Sequence, residues 1–220
     1  MLYTVLFFLN YLVSSPFNFQ EGDLVFQDSD CGPFCVAIEK VTFGYKGARL
    51  SHVGIITKMD NQTFVLEAIG KGVVLTPIDE FLNRSLDEDG NPKVLVGRVN
   101  KEFEGLIPDA ITHMKTKLGR PYDDVFDINN NAFYCSELLY EGFKAANNKE
   151  DFFKLFPMTF KDPDTNELFD IWVDYFKDLD IVIPEGEPGL NPGGISRSSY
   201  ISIVKVLGKP KGMEMGIMPE

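Results

Sequence analysis

A chain of 220 residues with 44% hydrophobic and 13% aromatic side chains can bury a sizeable core without relying on disulfides or metal ions. Its 33 acidic and 21 basic residues give a net charge of −12. The charges are spread with no basic stripe, which argues against a nucleic-acid partner and sets the chain against anionic membrane head groups.

Residues 1–18 open with an apolar run, from Leu2 to Val13, that ends at Ser14 and Ser15. The run is too short for a stable membrane span. It reads as the hydrophobic region of an export signal, although no Lys or Arg precedes it and Pro16 follows the small pair. The competing reading is a buried first element of the fold. The expected location is accordingly the periplasm or cell envelope, or the cytoplasm if the segment belongs to the fold.

Residues 23–27 read as the first strand. Cys31 and Cys35 then frame an amphipathic stretch, with Asp30 as a candidate N-cap and Pro33 suited to a first helical turn. Two small buried thiols are expected here. A bridge across one turn is geometrically demanding, and a zinc site would need a second ligand pair that the chain does not offer.

Four further strands are expected at residues 52–58, 63–69, 72–76 and 93–99, with Met59 to Gln62 turning a hairpin between the first two. Residues 77–82 read as a short helix with Pro in its first turn. Phe103, Leu106, Ile107, Ala110, Ile111, Met114 and Leu118 share one helical face, and Gly119 ends that helix. His113 lies at the margin of the face and reads as a surface residue. A second helix is expected over 133–146, capped from Asn129, Asn130 and Asn131. An aromatic-rich stretch follows over 152–176, whose rings read as core under the helices rather than as the wall of a substrate groove. A Pro/Gly-rich loop over 184–194, a closing strand over 199–206 and a mobile tail over 209–220 complete the chain. Strands in one block and helices in another predict an α+β fold. Residues 19–208 form one domain in this reading, with an aromatic-rich insertion over about 150–195.

The chemistry rests on three separated residues. A thiol attacks a carbonyl carbon only as thiolate, and a free thiol is mostly protonated near neutrality. Cys135 falls in the first turn of the predicted 133–146 helix, where unpaired N–H groups and the helix dipole stabilise an anion. His52 heads an apolar strand, and with only two histidines in the chain it is the strong candidate for the base. A turn at Asp60 and Asn61 puts His52 across from residue 68, beside Glu67, whose carboxylate would fix the imidazole tautomer. Singly, a helix Cys, a strand His and a strand Glu are ordinary structural residues. Together, on these elements, they describe a nucleophile, its base and an orienting group. The oxyanion would meet the Cys135 backbone N–H and one side-chain donor, for which Gln27 and Tyr134 are the candidates. Glu137 points away from Cys135 on a helix and reads as a structural hydrogen-bonding group.

These residues carry a resemblance. Gly22-Asp23-Leu24-Val25-Phe26, Ser51-His52-Val53-Gly54-Ile55, Glu67-Ala68 and Tyr134-Cys135-Ser136-Glu137 resemble the motifs of NlpC/p60 cysteine peptidases. The Cys helix here follows the His strand instead of preceding it. That order, together with Gly119-Arg120-Pro121-Tyr122-Asp123, is similar to the circularly permuted, papain-like branch of YiiX/YebB-like hydrolases. The match spans about residues 22 to 140. The resemblance implies an antiparallel sheet or partial barrel packed on helices, with Cys135 as nucleophile, His52 as base and Glu67 as orienting residue.

The reaction predicted is hydrolysis of an amide bond through an acyl-enzyme, with no metal or organic cofactor. The expected substrates are a small peptide of cell-wall type, an amino-acid amide or a lipid amide. Two alternatives use the same cleft. One is acyl transfer or deacylation directed at lipids, as in the lecithin retinol type of acyltransferase that the permuted branch also resembles. The other is binding of an amino acid or peptide without turnover.

Overall fold

The computed structural model describes residues 17–214, so most of the apolar segment expected over 1–18 lies outside the described residues. Along the chain run β1 (Leu24–Gln27), α1 (Pro33–Val41), β2 (His52–Met59), β3 (Gln62–Ile69), β4 (Gly72–Pro77), α2 (Ile78–Asn83) and β5 (Val94–Val99). Then come α3 (Ile107–Lys115), α4 (Cys135–Ala146), β6 (Phe156–Pro157), α5 (Asp170–Asp178), β7 (Pro188–Gly189), α6 (Pro192–Ser196) and β8 (Ile201–Leu207). Six strands form one antiparallel sheet in the order β4-β3-β2-β1-β5-β8, and β6 pairs with β7. The fold is α+β, an antiparallel sheet packed against helices.

Alternation along the strands explains the layering, because successive side chains leave a strand on opposite faces. Leu24, Phe26, Val53, Ile55, Leu66 and Leu95 meet Met114 of α3 and Leu138, Leu139 and Phe143 of α4. The intervening Val25, Ile56, Val65, Val94 and Val96 meet Phe81 and Leu82 of α2. Each Leu, Ile or Phe so buried contributes roughly 1.5–3 kcal/mol. Phe34 and Ala37 of α1 form a third cluster with Phe126, Phe160, Trp172 and Phe176, so the aromatic insertion has a small core of its own. Among the described residues no helix is long and apolar enough to cross a membrane.

The structure corrects five expectations. Cys31 and Cys35 are not free thiols but a disulfide, with Cα atoms 5.2 Å apart. Gly32, at φ 68, lets the intervening chain fold back far enough for the bridge. The helix expected over 103–118 is a 3-10 turn, Lys101–Leu106, followed by α3. Pro108 sits in the first turn of α3, where its missing N–H costs nothing, and would break a helix begun at Phe103. His113 is half-buried, with Nε2 unpartnered among the described residues, rather than a surface residue. α4 begins two residues later than expected and without Asn caps: the Asn130 amide donates to Asp123 instead, and its oxygen accepts from the Ala132 N–H. Residues 209–214, expected to be mobile, are tied down. The Lys211 backbone N–H donates to Asp28 Oδ2 (2.7 Å) and its carbonyl accepts from the Arg49 N–H (2.8 Å).

Candidate active site

Cys135 is the first residue of α4. The preceding Tyr134 is extended (φ −87, ψ 168), and its backbone N–H donates to Glu137 Oε2 at 3.2 Å, which fixes the helix start. Glu137 is therefore a structural partner, as its position on the helix implies. The run-in to Cys135 is held from the other side by the segment 121–123. Phe133 pairs with Tyr122, the Phe133 N–H donates to the Pro121 carbonyl (3.1 Å), and the Asp123 N–H donates to the Phe133 carbonyl (3.2 Å). Asp123 in turn accepts from Val125, Asp127 and Asn130 and closes that turn.

His52 heads β2, and its Nε2 lies 2.5 Å from Oε2 of Glu67. The Cys135 sulfur and the same ring are close enough that each shifts the other's protonation. Because Glu67 occupies Nε2, Nδ1 is the ring atom left for the sulfur. The structure thus brings together the thiol, imidazole and carboxylate picked out from the sequence. The β2–β3 register is one residue off the expectation: Ile55 pairs with Leu66 and Met59 with Gln62, around a two-residue turn at Asp60 and Asn61 with φ 49 and 61. Gly54 therefore faces Glu67, and His52 lies two residues before it on the same strand. A Cβ on Gly54 would lie 3.1 Å from the Cβ of Glu67 and 2.4 Å from Val65 Cγ1. The glycine leaves clear the sheet face across which the His52 ring reaches its carboxylate.

Glu67 is fully buried and its two oxygens are heavily subscribed. Thr76 Oγ1 donates to Oε1 at 2.5 Å, Arg84 Nη2 to Oε1 at 2.8 Å and Arg84 Nη1 to Oε2 at 3.1 Å. Neither Thr76 nor Arg84 was singled out from the sequence. The one signal for them is indirect: a buried carboxylate needs a cation and donors, and only pairing across strands reveals which.

Charge is strongly perturbed here. Burial pushes the Cys135 thiol up, but the His52 hydrogen bond, the imidazolium charge, Ser136 and the Val53 N–H together bring it below the ordinary thiol value. Burial pulls His52 down, and the hydrogen bonds and negative charges of Cys135 and Glu67 overcome this and raise it to about 9. Burial likewise pushes Glu67 up, and His52 and Arg84 outweigh it and bring the carboxyl to about 2. Such an arrangement favours a thiolate–imidazolium pair braced by an ionised carboxylate.

The two oxyanion candidates fare differently. Gln27 is fully buried and its amide donates to the Phe81 carbonyl at 2.9 Å, so it ties β1 to α2, and it does not line the sulfur's pocket. Tyr134 lines that pocket, and its hydroxyl accepts from the Leu190 N–H at 3.3 Å, while its own proton meets no acceptor among the described residues. The pocket on the Cys135 side is mostly apolar, walled by Ile38, Phe126, Met158, Phe160, Trp172 and Leu190. Rings of the aromatic insertion thus serve as core and as pocket wall at once. A second hollow opens on the imidazole side, lined by His52, Arg84, Asp124, Phe34 and the disulfide. Tyr122 and Ser51 border both; Tyr122 belongs to the 119–123 motif, to which the sequence assigned no role at the site.

Residues 18–203 match the model of a family described as permuted papain-like amidase enzymes, YaeF/YiiX, the C92 family. The uncharacterized protein YiiX of Escherichia coli strain K12 is 30% identical over 149 residues, which cover 64% of this chain and 67% of that protein. The crystal structure of the metalloprotein yiiX from Escherichia coli O157:H7 aligns with a TM-score of 0.67 at 23% identity, over 85% of this chain and 97% of that one. Metal binding is a description of that protein. Here the imidazole and carboxylate beside Cys135 are paired with each other and with Arg84, a donor set that does not fit a cation. Among the described residues no group of three or more His, Cys, Asp or Glu is placed to hold a metal.

Proposed function

The chain belongs to the permuted papain-like amidase family, and on that premise we propose that it hydrolyses an amide bond with Cys135 as nucleophile, His52 as proton carrier and Glu67 as the group that orients His52. The observation that carries this reading is the placement of the one free thiol at the first position of a helix, against an imidazole whose other nitrogen is held by a buried carboxylate. Thiolate attack on the carbonyl carbon forms the C–S bond and moves charge onto the carbonyl oxygen. That oxygen meets the Cys135 N–H, which has no partner within the helix, and the proton of Tyr134. Collapse expels the amine, which takes its proton from the His52 imidazolium. Water, deprotonated by the neutral imidazole, then adds to the acyl carbon, and breaking the C–S bond releases the acid and restores the thiolate–imidazolium pair.

The sign of the pH dependence follows from the two shifts. The thiol is lowered, so its thiolate is lost only as pH falls below the ordinary thiol range. His52 is raised to about 9, so the imidazolium that protonates the leaving group persists until pH rises through about 9. Alkylation of Cys135 by iodoacetamide, measured from pH 4 to 10, is expected to be fast well below the pH at which a simple thiol reacts. Because Cys31 and Cys35 are bridged, the label reports on Cys135 alone. An ordinary thiol titration there would sink the catalytic reading and leave a binding protein.

A second reading, a lipid amide as substrate, is favoured by the apolar wall beside the sulfur. Expulsion of the amine toward His52 leaves the acyl portion on that apolar side. Mass spectrometry of products from amide pairs that differ only in acyl length, with and without added free amine, is expected to show preferential cleavage of the longer acyl amide. Indifference to acyl length would return the assignment to small peptides. Acylated amine among the products would mark a transferase.

A further inference from the structure

Glu67 poses an electrostatic problem. A fully buried carboxylate costs several kcal/mol in the absence of compensating charge, and the His52 imidazolium beside it is shared with the Cys135 thiolate. Thiolate, imidazolium and carboxylate together leave one uncompensated negative charge. The fourth group is Arg84, the residue after α2. Its guanidinium grips both oxygens of Glu67, at 2.8 and 3.1 Å, while its side chain stays 30% exposed.

The way Arg84 is delivered is itself ordered. Its guanidinium carbon lies 5.3 Å from the centre of the Phe81 ring, which packs 6.0 Å from the His52 ring. Its backbone N–H donates to the Phe81 carbonyl, and that carbonyl also accepts from Gln27 of β1. One short helix, anchored to the central sheet, therefore supplies the ring that flanks the imidazole and the cation that holds the carboxylate.

We propose that Arg84 is a positioning residue for the reaction: by clamping Glu67 it aims the carboxylate at His52 and completes a neutral row of thiolate, imidazolium, carboxylate and guanidinium. The proposal rests on the assignment of Cys135 and His52 as the reacting pair. Removing the guanidinium leaves the row net negative in a buried site, and the easiest relief is for the sulfur to keep its proton. Arg84 thus acts on the nucleophile through two intervening side chains without touching substrate.

The experiment is the pH dependence of iodoacetamide labelling and of amide hydrolysis in wild type, Arg84→Met, Arg84→Gln and Arg84→Lys, each checked for a cooperative unfolding transition. In the neutral variants the labelling midpoint is expected to move up by about one pH unit, a roughly tenfold loss of thiolate at a fixed pH below it. Arg84→Lys is expected to restore the midpoint, since it keeps the charge. It should recover less of kcat, since one ammonium cannot make the paired contact. Arg84→Gln carries the test if Arg84→Met does not fold, because the partly exposed site tolerates an uncharged polar side chain. A folded neutral variant that labels with the wild-type midpoint would overturn the proposal and leave the Cys135–His52 assignment standing. An ordinary thiol titration in wild type would overturn that assignment, and this proposal with it.

Discussion

Cys135→Ser is expected to lower kcat/KM on amide substrates by roughly 10⁴-fold or more while leaving the unfolding transition nearly unmoved. The two side chains are close in size, and position 135 is buried at a helix start that either residue fits. The chemistry is not interchangeable. With His52 raised to about 9 by its anionic neighbours, a resting state with the proton on the ring is favoured at neutral pH. That state suits a thiol, whose anion forms readily, and not a hydroxyl, which must be deprotonated during attack by a neutral imidazole. Losing the thiolate also removes one of the charges that raise His52, so the serine variant has an uncharged pair with little nucleophilic character. Hydrolysis rates measured beside thermal melting separate the two effects. Retention of activity within tenfold of wild type would place the nucleophile elsewhere.

What could be read from the sequence was the local part of the candidate site. A His heading a strand, a Glu in the next strand of a hairpin and a Cys at a helix start are each announced by neighbours within a few residues. Asp60 and Asn61, both at positive φ, mark the turn that brings two of them together. Even so, the pairing slipped by one residue, because turn residues locate a hairpin more reliably than they fix which residues face each other. The site survives that slip because the His52 ring crosses the open face at Gly54 to reach Glu67.

What could not be read depends on contacts between distant segments. Arg84 and Glu67 are 17 residues apart, and nothing near Arg84 distinguishes it from an exposed cation after a short helix. Lys211 reaches Asp28 across 183 residues, so a polar segment that looks mobile is held by a buried carboxylate no local pattern reveals. Gln27 illustrates the converse error. It ends the strand next to His52, pairs with it in register, and suggests an oxyanion donor, yet its amide donates to the Phe81 carbonyl and it does not line the pocket beside Cys135.

Glu67→Gln is expected to lower kcat/KM by roughly 10²- to 10⁴-fold and to cost about 3–5 kcal/mol of stability. Two losses add. The amide carries no charge to hold the imidazolium, so the alkaline limb of the rate profile should fall from about 9 toward the ordinary imidazole value of about 6.5. Arg84, meanwhile, loses the anion it grips with two hydrogen bonds and becomes a partly buried cation without a partner. The stability cost belongs largely to that stranded charge. Adding Arg84→Met to Glu67→Gln should therefore recover a substantial part of the denaturation midpoint, as happens when both members of a buried ion pair are removed together. The alkaline limb should stay low in the double variant, because nothing has returned the negative charge to His52. Urea titrations and pH–rate profiles of the two single variants and the double variant measure both terms. A Glu67→Gln enzyme whose alkaline limb remains near the wild-type position would mean that Cys135 alone sets the proton affinity of His52, and that the carboxylate serves the fold rather than the reaction.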